Sequence, residues 1–304
     1  MAAMNSGLRS FVKSELERYR LALEDYILET APARAEGVPS ELFESMEYSL
    51  RAGGKRLRPA LCLAAAKRSG VDEKKAMPMA LGLEMLHTAT LIHDDLPCMD
   101  DDDMRRGKPS NHAKFGETLA LLAGDALFVQ SLEFPMANLT GIEPKNVLRA
   151  MHIFAKAIGP SGVCGGQVLD IDAAKAAGEQ DYVRRIAKLK TGALIQAAVL
   201  TGAALGGAKE TLLARYADYA AHLGSAFQIV DDILDVTSTA EELGKTPGKD
   251  ERDGKLTHVT VYGIERAREM AAEESEAARA ALDGVLPQDD FLMLLPEYLV
   301  HRSK

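Results

Sequence analysis

Residues 93–112, HDDLPCMDDDDMRRGKPSNH, place six aspartates after an apolar segment and follow them with two arginines. An acidic run of this kind is most often a solvated loop. A second acidic cluster, FQIVDDILD at residues 227–235, lies within another apolar run. Carboxylates in apolar surroundings need compensation, because unpaired buried charge is costly. Oxygen ligands with water or phosphate completing the shell are typical of magnesium, so the two clusters together indicate a magnesium site.

The spacing of the second cluster suits a single binding point. Asp231 and Asp235 are four residues apart and Asp232 lies one position further round, so a helix projects all three from one sector. Gln228 lies about one turn earlier on the same helix. The alternative is a set of carboxylates at a helix end that pair with lysine and arginine.

The first cluster has the same logic with a different spacing. Asp94 and Asp95 are followed by Pro97, which disfavours continued regular helix. The resulting distortion allows Asp100 to return towards Asp94 and share an ion with it. His87 is seven residues before Asp94, two helical turns, and therefore faces the same way. A lone histidine on a helix is usually structural, but this one shares a stripe with the acidic cluster.

The complementary basic residues begin with GGKRLRP at residues 53–59. This segment puts Lys55, Arg56 and Arg58 on a glycine-containing turn before a proline that can open a helix. Guanidinium and ammonium groups in that arrangement are suited to holding phosphate. Two carboxylate clusters and several cations on an apolar helical scaffold predict a site for a phosphorylated, apolar substrate. Further donors are Arg105, Arg106, Lys190, Thr191, Lys245, Lys249 and Lys255.

Composition excludes several other classes of protein. A net charge of -9 opposes a general nucleic-acid surface. The sequence contains neither a Walker A pattern nor GxGxxG, so a nucleotide is not the obvious anion. Cys62, Cys98 and Cys164 are widely spaced and form no CxxC pair, which predicts reduced packing residues in a cytoplasmic protein. The N-terminus has no signal-peptide character and no run approaches a membrane-spanning length, so we expect no membrane span.

The elements that must position these residues are helices. Apolar residues recur at spacings of three and four in residues 72–95, 179–206 and 209–236, whereas period-two alternation is hard to find. Clusters of Gly, Pro and Ser separate the helical segments, and none has the length of an interdomain linker. The long polar segment 237–255 suits a lid, although a surface loop fits its composition equally well.

Together these motifs resemble the trans-isoprenyl diphosphate synthases of the short-chain, farnesyl and geranylgeranyl type. The resemblance runs from about GGKRLRP to Lys255, in family order, and is carried by EMLHTATLIHDDLPCMDDDDMRRGKPSNH, GGQVLDID, KLKTGAL, FQIVDDILD and GKTPGKDERDGK. It implies one all-α domain over residues 1–304, a helical bundle around a deep central apolar cavity of the isoprenoid synthase type. It also implies a homodimer, with residues 237–257 as an active-site loop.

The resemblance further implies a role for each motif residue. Magnesium, at three ions per site, would bind Asp94, Asp95, Asp100, Asp231, Asp232 and Asp235. Dimethylallyl, geranyl or farnesyl diphosphate, as the allylic substrate, would contact Arg105, Lys190, Thr191, Gln228, Lys245 and Lys255. Isopentenyl diphosphate would be held by Lys55, Arg58, His87 and Arg106. The predicted catalytic residues are the six aspartates with Lys190 and Arg105, while Gln167 and Asp170 either line the site or act as polar partners in the core.

The residue types also fit this chemistry without the resemblance. Ionisation of an allylic diphosphate separates a carbocation from a polyanion, and cations stabilise the charge that develops on the leaving oxygens. The double bond of isopentenyl diphosphate then attacks the carbocation, and the released diphosphate can accept the proton, so no side-chain base is required. An apolar cavity holds both substrates in line and excludes water that would quench the carbocation.

Rival functions do not explain the whole set of motifs. A class I terpene cyclase and a head-to-head synthase do not bind isopentenyl diphosphate, so neither needs the residues predicted to hold it, which we call the isopentenyl clamp. A non-catalytic partner subunit of the same fold tends to lack one of the aspartate motifs, and both are present here. Product length depends on Thr90 and Ala89, which lie four and five residues before the first motif. Small residues there resemble geranylgeranyl producers, whereas farnesyl-producing bacterial relatives tend to have an aromatic ring at the Ala89 position. The sequence therefore predicts the 20-carbon product, with farnesyl diphosphate as the alternative.

Overall fold

The structure of the protein is a computed structural model that describes residues 5–30, 37–171, 180–238 and 256–302. The described residues are almost entirely helical, which confirms the predicted all-α fold class. Lys245, Lys249 and Lys255, with most of the predicted loop 237–257, lie outside the described residues. The helices are α1 (Ser6–Thr30), α2 (Ser40–Leu50), α3 (Leu57–Arg68), α4 (Glu73–Asp94), α5 (Asn111–Phe115), α6 (Glu117–Asn138), α7 (Pro144–Ile158), α8 (Val163–Ile171), α9 (Gln180–Ile186), α10 (Ala193–Leu205), α11 (Glu210–Thr237), α12 (His258–Tyr262), α13 (Ile264–Ala281) and α14 (Phe291–Val300).

The three predicted helical segments are all present. Residues 72–95 form α4, and residues 209–236 form α11. Within the predicted Ala-rich stretch 179–206, residues 180–205 form one continuous helical run in which a π-helix, Ala187–Gly192, joins α9 to α10. We call this π-helix the π segment. Single-turn π-helices occur mostly as insertions within α-helices and often mark functional sites, so its position directs attention to its side chains.

The described chain also contains one short β-hairpin, in the sequence MRRGKP. Met104–Arg105 (β1) pairs antiparallel with Lys108–Pro109 (β2). Arg106 and Gly107 between them have φ of 54° and 74°, the left-handed conformation that both central residues of a type I′ turn require. Periodicity could not reveal strands this short, because two residues contain no repeat.

The core is built around α4 and α10. Helix α4 packs on α3 and α6, and α10 packs on α3, α7 and α11. The α4 side chains Met79, Leu83 and Leu86 are fully buried. Helices α3 and α10 approach closely, since a Cβ on Gly202 would lie 2.1 Å from the carbonyl oxygen of Cys62. Close packing of this kind resists displacement, so α4 holds its C-terminal residue Asp94 on a rigid support.

Helix α6 corrects one expectation from the sequence. Among the described residues it is the helix long and apolar enough to cross a membrane, by length and composition alone. One of its faces packs on α4, and the opposite face carries exposed apolar side chains that include Leu121, Val129 and Met136. The expectation that no run approaches a membrane-spanning length is therefore wrong for α6, although a core helix meets the same criteria.

Candidate active site

The first aspartate motif lies where α4 ends. Asp94 is the last residue of the helix, and the chain then turns so that the N–H of Asp100 donates to the carbonyl oxygen of Asp94 at 2.8 Å. Gln167 donates through Nε2 to Asp94 Oδ1 at 2.5 Å. Burial raises the pKa of Asp94 to about 6; the charges of Asp100 and Asp170 add to this, while Lys190 opposes it. The turn after Asp94 therefore brings Asp100 back as the sequence suggested, into a region of concentrated negative charge.

The π segment supplies the cation beside this motif. Lys190 Nζ lies 2.5 Å from Asp170 Oδ2 on α8, and its charge acts on Asp94. The backbones of α8 and the π segment approach closely: a Cβ on Gly166 would lie 2.2 Å from the backbone nitrogen of Lys190. Thr191, next in the segment, donates its hydroxyl to Gln228 on α11 at 2.5 Å. The π segment thus joins the first motif to the helix that carries the second.

The second aspartate motif does not offer three equivalent carboxylates to one point. Asp232 is buried and its Oδ2 accepts from both the N–H and the Nδ1 of His258, at 2.8 and 2.7 Å. Its Oδ1 accepts from Gln228 at 2.8 Å. Asp235 is also buried, whereas the side chain of Asp231 is 42% exposed. The three carboxylates therefore have different surroundings in this arrangement: protein donors hold Asp232, Asp235 is buried, and the more exposed Asp231 pairs with Arg302. That all three share one ion stays a prediction.

Asp95, like Asp232, is buried and held by protein donors, whereas Asp94 is partly accessible. Successive residues on a helix point about 100° apart. Asp95 is buried and accepts hydrogen bonds from both Nε and Nη2 of Arg105, those from Nε at 3.0 and 3.2 Å. Arg105, predicted to contact the allylic diphosphate, thus fixes the β-hairpin to α4. Among the described residues no three His, Cys, Asp or Glu side chains converge closely enough to hold a metal ion by themselves.

The predicted isopentenyl clamp is assembled around the GGKRLRP turn. Arg106 on the β-hairpin donates to the carbonyl oxygen of Gly53, and a Cβ on Gly54 would lie 2.6 Å from the Arg106 guanidinium carbon. Arg58 Nε is buried and has no hydrogen-bond partner within the described part of the chain. Burial lowers the pKa of His87 well below its usual value, as do the charges of Arg58 and Arg106. The structure therefore brings three of the predicted clamp residues, Arg58, His87 and Arg106, to one region, and Lys55 lies on the same turn as Arg58.

Arg56, from the same turn, does not contribute to the clamp surface. Its side chain is 1% exposed and points inward, where Nη1 lies 2.5 Å from Glu84 Oε1 on α4. The sequence grouped Arg56 with Lys55 and Arg58 as a phosphate ligand. That grouping is wrong, because the buried ion pair removes the Arg56 guanidinium from the surface.

A cavity of about 390 Å³ opens beside the clamp between α1, α3, α11 and α14. Lys55 lies on its wall, where the reduced solvation and the charge of Arg302 lower its pKa to about 8. Arg302, near the C-terminus, pairs with Asp231 and lies 4.2 Å above the ring of Phe227. Sequence reasoning missed both Arg302 and His258. The basic C-terminal HRSK is a weak signal for the first, and no local pattern identifies the second.

The two predicted chain-length residues occupy different faces of α4. Thr90 is half-buried and shares the i, i+4 face of Asp94. Ala89 is fully buried and shares its face with Gly82 and His93. Both of these contact α6: a Cβ on Gly82 would lie 2.6 Å from the Pro135 ring, and His93 packs against Gly124. A larger side chain at Ala89 would therefore extend towards α6.

The fold and the site define a class of protein. Acidic motifs at the ends of two helices, a lysine-bearing π segment between them and an arginine-rich clamp are suited to stabilising a leaving diphosphate beside an apolar core. This is the architecture of a helical prenyltransferase. A family model described as polyprenyl synthetase matches residues 39–283, and the chain belongs to this family.

Individual relatives agree with the family assignment. The chain is 42% identical over 298 residues to a dimethylallyltranstransferase of Fischerella ambigua, covering 98% of this chain and 84% of the relative. It is 41% identical to a geranylgeranyl diphosphate synthase of Cyanophora paradoxa, covering 92% and 93% of the two chains. Its fold matches a geranyltransferase from Helicobacter pylori complexed with magnesium and isoprenyl diphosphate, with a TM-score of 0.82, 32% identity and 98% coverage of each chain. The protein is a short-chain trans-prenyltransferase of isoprenoid biosynthesis, in a family that uses Mg²⁺.

Proposed function

We propose that the protein condenses isopentenyl diphosphate head-to-tail with an allylic diphosphate and releases geranylgeranyl diphosphate. The observation that carries the proposal is the π segment: Lys190 lies beside Asp94, and Thr191 is bonded to the helix that carries Asp231. One short segment thus places a cation and a hydroxyl between the two acidic motifs, where a diphosphate would need them. On the reduced-cysteine pattern we place the reaction in the cytoplasm.

The donor set fits magnesium. The candidate ligands are carboxylate oxygens, and burial and neighbouring carboxylates raise the pKa of Asp94, so a cation would relieve the local charge. Asp94, Asp100 and Asp231 are the predicted ligands that keep part of their surface accessible, whereas Asp95, Asp232 and Asp235 are buried. We propose that these three hold up to three ions together with the diphosphate, while Asp95, Asp232 and Asp235 support them. Bound Mg²⁺ would supply positive charge to the leaving oxygens.

The chain's own residues would perform the remaining steps. Lys190 and Thr191 orient the allylic diphosphate, and Arg58, whose Nε has no hydrogen-bond partner among the described residues, offers its guanidinium to isopentenyl diphosphate. The neutral imidazole of His87 can donate or accept a hydrogen bond to the same substrate without adding repulsion to the arginines. The apolar residues of α4 exclude water from the growing chain.

We further propose a homodimer formed through α6. Leu121, Leu122, Val129 and Met136 on its outer face are between 47% and 66% exposed, and Leu148 on the adjacent α7 is 73% exposed. Several large apolar side chains exposed on one helix face are a typical sign of an interface. Sedimentation equilibrium of the wild type and of Val129→Glu measures it: the wild type should sediment as a dimer and the variant as a monomer.

The proposed reaction is tested by incubating the protein with Mg²⁺, isopentenyl diphosphate and, separately, dimethylallyl, geranyl or farnesyl diphosphate. Chain-length analysis of the products should show 20 carbons with every allylic substrate. Accumulation of a 15-carbon product from dimethylallyl or geranyl diphosphate would instead identify a farnesyl diphosphate synthase, the alternative that the sequence left open. Absence of any condensation would contradict the proposal.

The two diphosphate sites should respond to different substitutions. Arg58→Ala is expected to raise the KM for isopentenyl diphosphate by about 10-fold or more, and Lys190→Ala to raise the KM for the allylic substrate similarly. Each clamp contributes binding energy to the substrate that it contacts. Initial-rate kinetics with each substrate varied in turn measure the split. Equal effects on both Michaelis constants in both variants would show that the assignment of residues to sites is wrong.

A further inference from the structure

The turn at residues 53–56 has an unusual backbone that needs external support. Gly53 and Gly54 have φ of 84° and 129°, and Arg56, which is not glycine, has φ of 48°. A side chain with a Cβ is strained in the left-handed region and persists there only where the surrounding structure holds it. Arg56 is also the residue that immediately precedes α3, and no side-chain cap hydrogen bond is present there.

The support comes from the Arg56 side chain. Its Nη1 lies 2.5 Å from Glu84 Oε1 on α4, and its Nη2 donates to the carbonyl oxygen of Leu50, the last residue of α2, at 2.7 Å. The Arg56 and Glu84 side chains are 1% and 2% exposed. The Arg56 guanidinium therefore connects the turn to both α4 and α2 on the buried side of the turn, away from water.

Glu84 is also the buried anion beneath a group of guanidinium groups. Its charge acts on Arg58 and Arg106 as well as on its bonded partner Arg56. Like charges gathered without a ligand repel each other, so a buried counter-ion is needed to keep them together. Glu84 lies three residues before His87 on α4, on the helix that ends with Asp94.

We propose that Glu84, acting through Arg56, is a positioning residue for isopentenyl diphosphate: the buried pair fixes the turn so that Lys55 and Arg58 face the substrate at a set distance from the first aspartate motif. The inference rests on the proposed function. Because Glu84 and Asp94 share one rigid helix, the pair sets the separation of the two diphosphates. Distortion of the turn moves the isopentenyl clamp and leaves the allylic contacts of Lys190 and Thr191 in place.

The test uses the chain of residues 1–304 and three variants. Glu84→Gln keeps an acceptor for Arg56 but removes the buried anion. Arg56→Met/Glu84→Met removes both charges, and such replacements of a buried ion pair by apolar residues are often neutral for stability. Glu73→Gln is the control, because Glu73 begins the same helix, about three turns before Glu84, and pairs there with Arg18 at 2.6 Å and Lys67 at 3.2 Å.

Calorimetric binding of isopentenyl diphosphate, both Michaelis constants and the thermal midpoint are measured for each protein. Glu84→Gln should weaken isopentenyl diphosphate at least about 10-fold in binding and in KM, with the allylic KM within about twofold of wild type. The double variant should melt near the wild-type temperature. Its affinity for isopentenyl diphosphate should nevertheless be lower than that of wild type, as in Glu84→Gln. The control should bind both substrates normally.

The outcomes separate the positioning role from a structural one. A double variant that binds isopentenyl diphosphate as tightly as wild type overturns the proposal, since the pair would then serve stability alone. Equal weakening of both substrates overturns it too. A wild type that does not bind isopentenyl diphosphate overturns the proposed function itself, a result distinct from either of the others.

Discussion

Asp94→Asn and Asp231→Asn are each expected to lower turnover at saturating Mg²⁺ by at least about 100-fold. This is the scale of loss when a group that stabilises transition-state charge is removed. Asparagine keeps the shape of the side chain and its acceptor oxygen, so the loss isolates the carboxylate charge. Steady-state rates over a range of Mg²⁺ concentrations measure it.

The same substitution at Asp94 should make the metal-free protein more stable at neutral pH. The folded-state pKa of Asp94, about 6, lies above its ordinary value of 3.8, so folding favours the protonated form. Protonated Asp94 therefore costs the folded state nothing below about pH 4. As the pH rises through 6 the carboxyl must ionise in its buried position, and the free energy of unfolding falls. The pKa difference of about two corresponds to on the order of 3 kcal/mol, an upper bound that asparagine should partly recover at pH 7.

Two observations check this prediction independently of turnover. Mg²⁺ with a diphosphate should raise the thermal midpoint of wild type and not that of Asp94→Asn. Asp101→Asn is the matched control: Asp101 is exposed in the same acidic run, and asparagine tolerates its φ of 51°. Near-normal turnover in both active-site variants would reject the metal site and return the acidic run to a solvated loop.

Ala89→Phe is expected to shift the main product from 20 to 15 carbons. Ala89 precedes Asp94 by five residues, which places it about 7 Å deeper along α4 at about 1.5 Å per residue, a little more than one isoprene unit. A ring at this depth, directed towards α6, should stop a product that grows along that side of α4, while the first condensation continues because the diphosphate contacts are unchanged. Product analysis by chain length gives the distribution directly.

Thr90→Phe is the natural comparison. Thr90 shares the face of Asp94, whereas Ala89 is fully buried on the face that contacts α6. A ring at Ala89 can therefore overpack the contact between α4 and α6, at a cost of about 1–3 kcal/mol, so thermal midpoints must accompany the product analysis. If both variants fold well and still make the 20-carbon product, the residues that limit product length lie elsewhere. A wild type that already stops at 15 carbons would contradict the Ala89 hypothesis.

Much of the protein could be predicted from sequence because its signals are local. Apolar spacings of three and four identify α4 and α11, since a helix repeats every 3.6 residues whatever it packs against. The acidic motifs, the lysine of KLKTGAL and the GGKRLRP turn are contiguous in sequence, so their charge and flexibility are visible without a fold. Pro97 likewise indicated the chain reversal that brings Asp100 back to Asp94.

The direction of individual side chains was decided by tertiary structure. Asp94 and Asp95 are adjacent and chemically identical, yet Asp95 accepts from Arg105 of the hairpin and Asp94 accepts from Gln167 on α8. Asp232 is distinguished from Asp231 by His258, 26 residues away. Arg56 and Arg58 are two residues apart, and the buried pair with Glu84 holds Arg56 in the interior.

The physical reason is that periodicity records which face of a helix is apolar, whereas a buried carboxylate or guanidinium must find a partner of opposite charge or a hydrogen-bond donor or acceptor. That partner comes from whichever element the fold brings near. The sequence alone therefore determined the helical scaffold and the chemical inventory of the site. Packing decided which of six aspartates remain open to a ligand and which hold the frame, because only the folded chain brings residues such as Arg105, Glu84 and His258 to their partners.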